Sequence, residues 1–150
     1  MRAVAQRVSS ARVSAGVDPI FVMGPGLLVL VGVGSADTEA EAEQLARRLV
    51  HLRIFDDDDH HMNHSVLDVG GTLGVVSQFT LYGDTRHGRR PSYSAAASAE
   101  RAAPLIEDLV RVARGLGVPV VCGRFGAMME VALVNSGPVT ILLDTDPQPP

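Results

Sequence analysis

A mixed α/β fold, with a mixed sheet assembly and two helices packed on one side of it, is predicted by three features of the 150-residue sequence. Apolar, strand-like runs occupy both ends of the chain, two middle stretches repeat apolar residues at helical spacing, and no repeat or linker divides them. The length suits one domain, which on folding buries roughly 70% of the surface its unfolded chain exposes. Residues 1–144 are expected to form that domain, and residues 145–150, closing on Pro147-Gln148-Pro149-Pro150, a Pro-rich tail.

The elements follow in order. Val4 and Val8 flank polar Gln6, and Val13, Ala15 and Val17 alternate with Arg12, Ser14 and Gly16, a strand-like period of two. Ile20-Phe21-Val22 meets the turn Gly24-Pro25-Gly26, and Leu27 to Val31 reads as a buried strand. A helix follows, with Asp37 as its expected cap, Glu39, Glu41 and Glu43 at its positive end and Arg47 and Arg48 at the other. Ala42, Leu45, Ala46, Leu49 and Leu52 give it one apolar face. A second helix is expected over Ala99 to Gly115, stopped by Gly115 and Gly117, with Pro104 tolerable only in its first turn. Further strands are expected at Leu73–Tyr82, Val118–Cys122, Met129–Asn135 and Val139–Leu143.

Composition removes several classes of function. All 13 basic residues are Arg, against 17 acidic ones, for a net charge of −4. Without lysine there is no Schiff-base chemistry and no P-loop. The single Cys122 excludes an intrachain disulfide framework and a multi-thiolate zinc site. Met1-Arg2-Ala3-Val4-Ala5-Gln6-Arg7 lacks the apolar core of a signal peptide, and a soluble cytoplasmic protein is expected.

Several segments invite a functional reading. Asp56-Asp57-Asp58-Asp59-His60-His61, with His64 beyond, holds metal-ligand types, but neighbours in an extended loop diverge, which favours a solvated acidic turn and no metal. Gly32-Val33-Gly34 resembles half of a dinucleotide fingerprint and supports an alternative nucleotide-binding reading. The third glycine would fall at Asp37, whose charge repels phosphate. Asp84 to Pro91 carries Arg86, Arg89 and Arg90, which fits either a nucleic-acid end or an ordinary solvated loop. Ser77-Gln78-Phe79-Thr80 ends a buried strand, where Gln78 and Thr80 project together and could position an ester and its oxyanion. No acid or histidine lies near in sequence to activate Thr80, so a plain polar patch fits the spacing equally well. Gly137-Pro138, between two expected strands, reads as an ordinary turn.

Taken together, Met1 to Val8, Gly24 to Val33, Leu52 to Phe55, Ser77 to Tyr82, Gly88 to Ser92, Gly123 to Ala127 and Gly137 to Thr140 closely resemble the D-aminoacyl-tRNA deacylase family. The pairing of Ser-Gln-Phe-Thr-Leu with Asn-Ser-Gly-Pro-Val-Thr is specific, and the likeness runs to about residue 144. The resemblance implies a barrel-like core and a homodimer whose active sites lie at the subunit interface. It implies hydrolysis, without a cofactor, of the ester joining a D-amino acid to the 3′-terminal adenosine of tRNA, and activity on glycyl-tRNA. By the same resemblance Gly137 and Pro138 form a cis pair that enters the partner's site and excludes an L side chain. Ser77, Gln78, Phe79 and Thr80 would line the pocket with Met129 nearby, and Arg7 would brace the cis pair. Either Thr80 attacks, or main-chain N–H groups near Phe79 hold the oxyanion while the ribose 2′-hydroxyl assists. The missing base beside Thr80 favours the second route. The Asp/His-rich loop, Ser136 (where the family often carries an acid) and residues 15 to 23 depart from the family pattern.

Overall fold

The structure, a computed structural model, describes residues 1–146, so most of the expected tail lies outside the described residues. Its strands are β1 (Arg2–Ala15), β2 (Asp18–Met23), β3 (Gly26–Gly32), β4 (Phe55–Asp56), β5 (Met62–His64), β6 (Thr72–Ser77), β7 (Val120–Cys122) and β8 (Glu130–Asp144). Its helices are α1 (Glu39–Val50) and α2 (Ala99–Gly115). The main sheet runs β2-β1-β3-β6-β7, with β8 pairing along the other side of β1. The β3–β6 and β6–β7 pairs are parallel and the rest antiparallel. β2 curls back against β7, so the sheet nearly closes into a barrel. No helix among the described residues is long and apolar enough to cross a membrane.

Two interiors result. On β3, Leu27, Val29 and Val31 face the helices, whereas Leu28 and Leu30 face the barrel, which explains a strand apolar at almost every position. The helix side gathers Leu45 and Leu49 of α1 with Leu105 and Leu109 of α2. Burying each such leucine contributes about 1.5–3 kcal/mol relative to leaving it in water. The barrel side gathers Val8, Val13, Phe21, Met23 and Val76.

β1 serves both interiors by changing phase. Ala3 and Ala5 pack under the helices, while Ala11 and Val13 point into the barrel. Val8 pairs with Asn135 but Ser10 with Val134, so Ser9 is an extra residue, a bulge that exchanges the two faces. A single alternation through Val17 therefore does not hold, and Val17 sits exposed in the β1–β2 turn beside Gly16, whose φ is +60°.

Three expectations about element ends are corrected. Thr38 caps α1, not Asp37: its hydroxyl accepts from the Ala40 N–H at 3.3 Å while the Glu41 carboxylate accepts from the Thr38 N–H at 2.7 Å. The Thr38 hydroxyl also donates to the Glu41 carboxylate at 2.6 Å, and this bond, followed by the one from the Thr38 N–H, holds the Glu41 carboxyl below its ordinary range. Pro104 lies in the second turn of α2, where it removes the bond to the Glu100 carbonyl. β6 stops at Ser77, and Phe79–Tyr82 form a 3₁₀ turn in place of more strand.

Candidate active site

That turn is seated on glycine. The Gln78 N–H still pairs with the Val31 carbonyl at 2.7 Å, after which the chain folds over the end of β3. A β-carbon on Gly32 would stand 3.0 Å from the Gln78 carbonyl oxygen and 3.1 Å from Leu81 Cβ. One on Gly34 would stand 2.8 Å from the Tyr82 hydroxyl. Asp37, buried beneath, accepts from the Gly34 N–H at 2.5 Å, from the Met1 ammonium at 2.7 Å and from the Tyr82 hydroxyl at 3.3 Å. Burial, and then the Asp37 charge, push the Tyr82 phenol upward. The nucleotide-binding alternative is corrected by this arrangement. The Gly34 N–H that a phosphate would need is already taken, and the glycine surface is filled by Tyr82.

Above the turn opens a cavity of about 630 Å³. Ser77, Gln78, Phe79 and Thr80 form one wall, Phe125 to Met129 another, and Ala97, Ala99, Ala102 and Ile106 a third. The third wall is positioned by main-chain pairing of Ser35 with Ala95 and Ala97 with Val33, which ties the lead-in of α2 to the end of β3. The Gln78 side-chain amide donates to Thr80 Oγ1. The N–H groups of Phe79 and Thr80 open the 3₁₀ turn with no protein partner among the described residues. Phe79 is 58% exposed, and its ring meets Tyr93 edge-on at 5.1 Å. None of the lining residues is an acid, a histidine or a cysteine. Cys122 lies on β7 outside this lining, and burial pushes its thiol up.

Five candidates thus share one cavity: Ser77, Gln78, Phe79, Thr80 and Met129. Gly137, Pro138 and Arg7 form a separate cluster and do not line it within the same chain. The Gly137–Pro138 peptide is cis. The expected turn between two strands is corrected, since β8 is continuous. Gln6 pairs with Thr140 and Val8 with Asn135, so residues 136–139 bulge out opposite Arg7 alone. Arg7 donates to the Ser136 and Ile54 carbonyls at 2.8 Å each and lies 3.3 Å from Asp56 Oδ1. Asn135, whose part had no local signal beyond its place beside Gly-Pro, closes the bulge. Its amide accepts from the Val139 N–H at 2.6 Å and donates to the Val139 carbonyl at 3.1 Å.

The Asp/His loop is a small hairpin of β4 and β5. Asp57 organises it by accepting from the His61 N–H at 2.9 Å and from the Asn63 amide at 2.5 Å, and the Asn63 bond above all lowers its pKa. No group of three metal-ligating side chains converges among the described residues. In the basic loop, Asp84 and Ser92 pair through both main-chain bonds, and Arg86 clasps Asp84, whose carboxyl is drawn down to about 2.

A mostly apolar cavity offering a hydroxyl–amide pair and free main-chain donors, with no titrating side chain, has the equipment of an ester hydrolase that acts by positioning and oxyanion stabilisation. The comparisons agree. Residues 4–144 match the family described as D-Tyr-tRNA(Tyr) deacylase. The chain is 59% identical over 145 residues to the D-aminoacyl-tRNA deacylase of Roseiflexus sp. (strain RS-1), covering 97% of this chain and 94% of that one. It is 49% identical over 149 residues to the D-aminoacyl-tRNA deacylase of Thermus aquaticus, covering 99% and 98%. Among solved structures, one titled "c-Myc DNA Unwinding Element Binding Protein" superposes with a TM-score of 0.93 at 36% identity, over 98% of this chain and 100% of that one. Another, a probable eukaryotic D-amino acid tRNA deacylase, shares the fold with a TM-score of 0.79 at 20% identity, over 95% and 97%. The chain belongs to the D-Tyr-tRNA(Tyr) deacylase family. Its activity is hydrolysis of the ester bond of D-aminoacyl-tRNA.

Proposed function

We propose that the active protein is a homodimer in which the Gly137–Pro138 bulge of each subunit enters the cavity of the other and sorts the two hands of the amino acid. The observation that carries this reading is the bulge itself: exposed, excluded from its own chain's cavity, and held by Arg7 and by both main-chain groups of Val139 through Asn135. The two hands of an aminoacyl ester differ only in where the side chain leaves Cα. A firmly held polar wall on one side penalises the L hand by overlap and desolvation and leaves many D side chains admissible. Glycine presents nothing to reject, so glycyl-tRNA is a substrate as well. The dimer is supported by β8, an edge strand that leaves Val134 and Leu142 exposed. Residues 1–144 form the whole catalytic domain, which works on aminoacyl-tRNA in the cytoplasm and needs no cofactor.

For the chemical step, the Phe79 and Thr80 N–H groups hold the oxyanion and the Gln78–Thr80 pair orients the ester. The cavity lining offers no base to Thr80, so the ribose 2′-hydroxyl of the terminal adenosine assists. The test compares D-tyrosyl-, L-tyrosyl- and glycyl-tRNA in single-turnover assays with chelator present, alongside sedimentation of the free protein. D and glycyl esters should be cleaved by a dimer and the L ester spared. Equal cleavage of both hands, or a fully active monomer, overturns the reading.

A further inference from the structure

Of the 13 arginines, eight have their guanidinium hydrogen-bonded to a carboxylate, an amide or a main-chain carbonyl: Arg2, Arg7, Arg47, Arg48, Arg53, Arg86, Arg111 and Arg114. Arg12, Arg89, Arg90, Arg101 and Arg124 have no such partner among the described residues, and all five are exposed. Four of these five stand in sequence beside segments that wall the cavity or pack on its first wall. Arg124 directly precedes Phe125 of its second wall, and Arg101 lies between Ala99 and Ala102 of its third. Arg89 and Arg90 lie on the returning arm of the loop closed by the Asp84–Ser92 pairing, four and three residues before Tyr93, whose ring meets Phe79.

We infer that Arg89, Arg90, Arg101 and Arg124 form a collar that grips the phosphodiester backbone of the single-stranded 3′ end of the RNA as it enters the cavity. The inference rests on the deacylase reading above and adds the part of the substrate that lies outside the ester. A cavity without a charged group cannot itself attract a polyanion, and the protein as a whole is acidic, so attraction must be local. Glu100 and Glu130 flank the same walls, which leaves four positive groups against two negative ones. Arg86 is excluded from the collar because Asp84 takes the Nε–Nη2 edge of its guanidinium with both carboxylate oxygens, and that pairing braces the loop that carries Arg89 and Arg90. Guanidinium forks without internal partners suit phosphate oxygens, and they read no base, so the grip serves every tRNA.

The experiment uses full-length protein and two substrates with the same ester: D-tyrosyl-tRNA, and D-tyrosyl-adenosine, which has no phosphate. Each contact with a single-strand phosphate steepens the log–log salt dependence by about 0.7. Replacing Arg89, Arg90 and Arg124 together by Gln should therefore flatten the slope for D-tyrosyl-tRNA by about 2 and lower its kcat/KM by about 10–30-fold at 0.1 M salt, through KM. The preference for the tRNA over the adenosine ester should fall by the same factor. Arg101→Gln alone should flatten the slope by about 0.7, and Arg111→Gln, whose guanidinium Asp108 already holds, should leave it unchanged. An equal loss on both substrates, or an unaltered salt slope, overturns the collar. Wild-type protein inert toward D-tyrosyl-tRNA would instead remove the deacylase reading beneath it, and shows before any variant is made.

Discussion

The Tyr82 hydroxyl donates to Asp37 at 3.3 Å, and it does so across Gly34, where a β-carbon would come within 2.8 Å of that hydroxyl. Tyr82 ends the 3₁₀ turn that carries Phe79 and Thr80, so the floor of the cavity is keyed to β3 by one ring and one carboxylate. Arg2 adds to the key, its guanidinium 4.5 Å above the Tyr82 ring.

Gly34→Ala should overpack this joint. A cost of about 1–3 kcal/mol is expected for forcing a methyl group into a filled space. Urea unfolding should show a lower midpoint with an unchanged slope, and a dinucleotide should give neither wild type nor variant any thermal protection.

Asp37→Ala should cost more, about 3–5 kcal/mol, because it leaves the fully buried Met1 ammonium without its counter-charge. Calorimetry of the variant measures this. A loss below about 1 kcal/mol, the worth of a surface pair, would refute it.

Alkali should destabilise the protein through Tyr82. Its phenol ionises at a higher pH when folded than when unfolded, since burial and Asp37 both disfavour the phenolate. Above about pH 10 the unfolded chain releases this proton first, so stability falls as pH rises through the window from the unfolded value upward. In Tyr82→Phe that part of the alkaline slope should vanish, as read from denaturant midpoints between pH 8.5 and 11.

How far these features could be read in the sequence varies with their range. Gln78 and Thr80 do meet, but through the 3₁₀ turn and not through the strand period that groups them in the sequence, whereas both helices and the buried strand β3 were legible because their apolar spacing is local. The role of Asp37 was not, because an acid ahead of a helix looks like its cap, and only Met1 and Tyr82, far away in sequence, reveal otherwise. Gly32-Val33-Gly34 misleads for the same reason, since the ring that requires those glycines comes some fifty residues later. The cis pair at Gly137 was expected through family likeness alone, while its extrusion opposite Arg7 depends on a register that no single strand encodes.

Thr80→Ala discriminates the two routes for ester cleavage. With the 2′-hydroxyl assisting, the single-turnover rate on D-tyrosyl-tRNA should drop by about tenfold or less, whereas loss of a true nucleophile costs about 10⁴-fold or more. A substrate ending in 2′-deoxyadenosine should lose far more than the Thr80 variant does.

Asn135→Ala should loosen the bulge and not the cavity. The expected outcome is a fall in the D-over-L rate ratio of about tenfold, roughly the effect of two neutral hydrogen bonds, with the rate on glycyl-tRNA nearly kept. Parallel assays of the three esters check it, and an equal loss on all of them would count against the bulge as selector.

The phase change at Ser9 also governs how this chain tolerates insertions and deletions. Adding a further residue there would rotate everything after it by half a pleat, sending Ala11 and Val13 outward and Arg12 into the barrel. The exposed hairpin tip at Asp58–His60 can vary in length without such a consequence. Variation in length among natural relatives should therefore collect at that tip and spare the first strand.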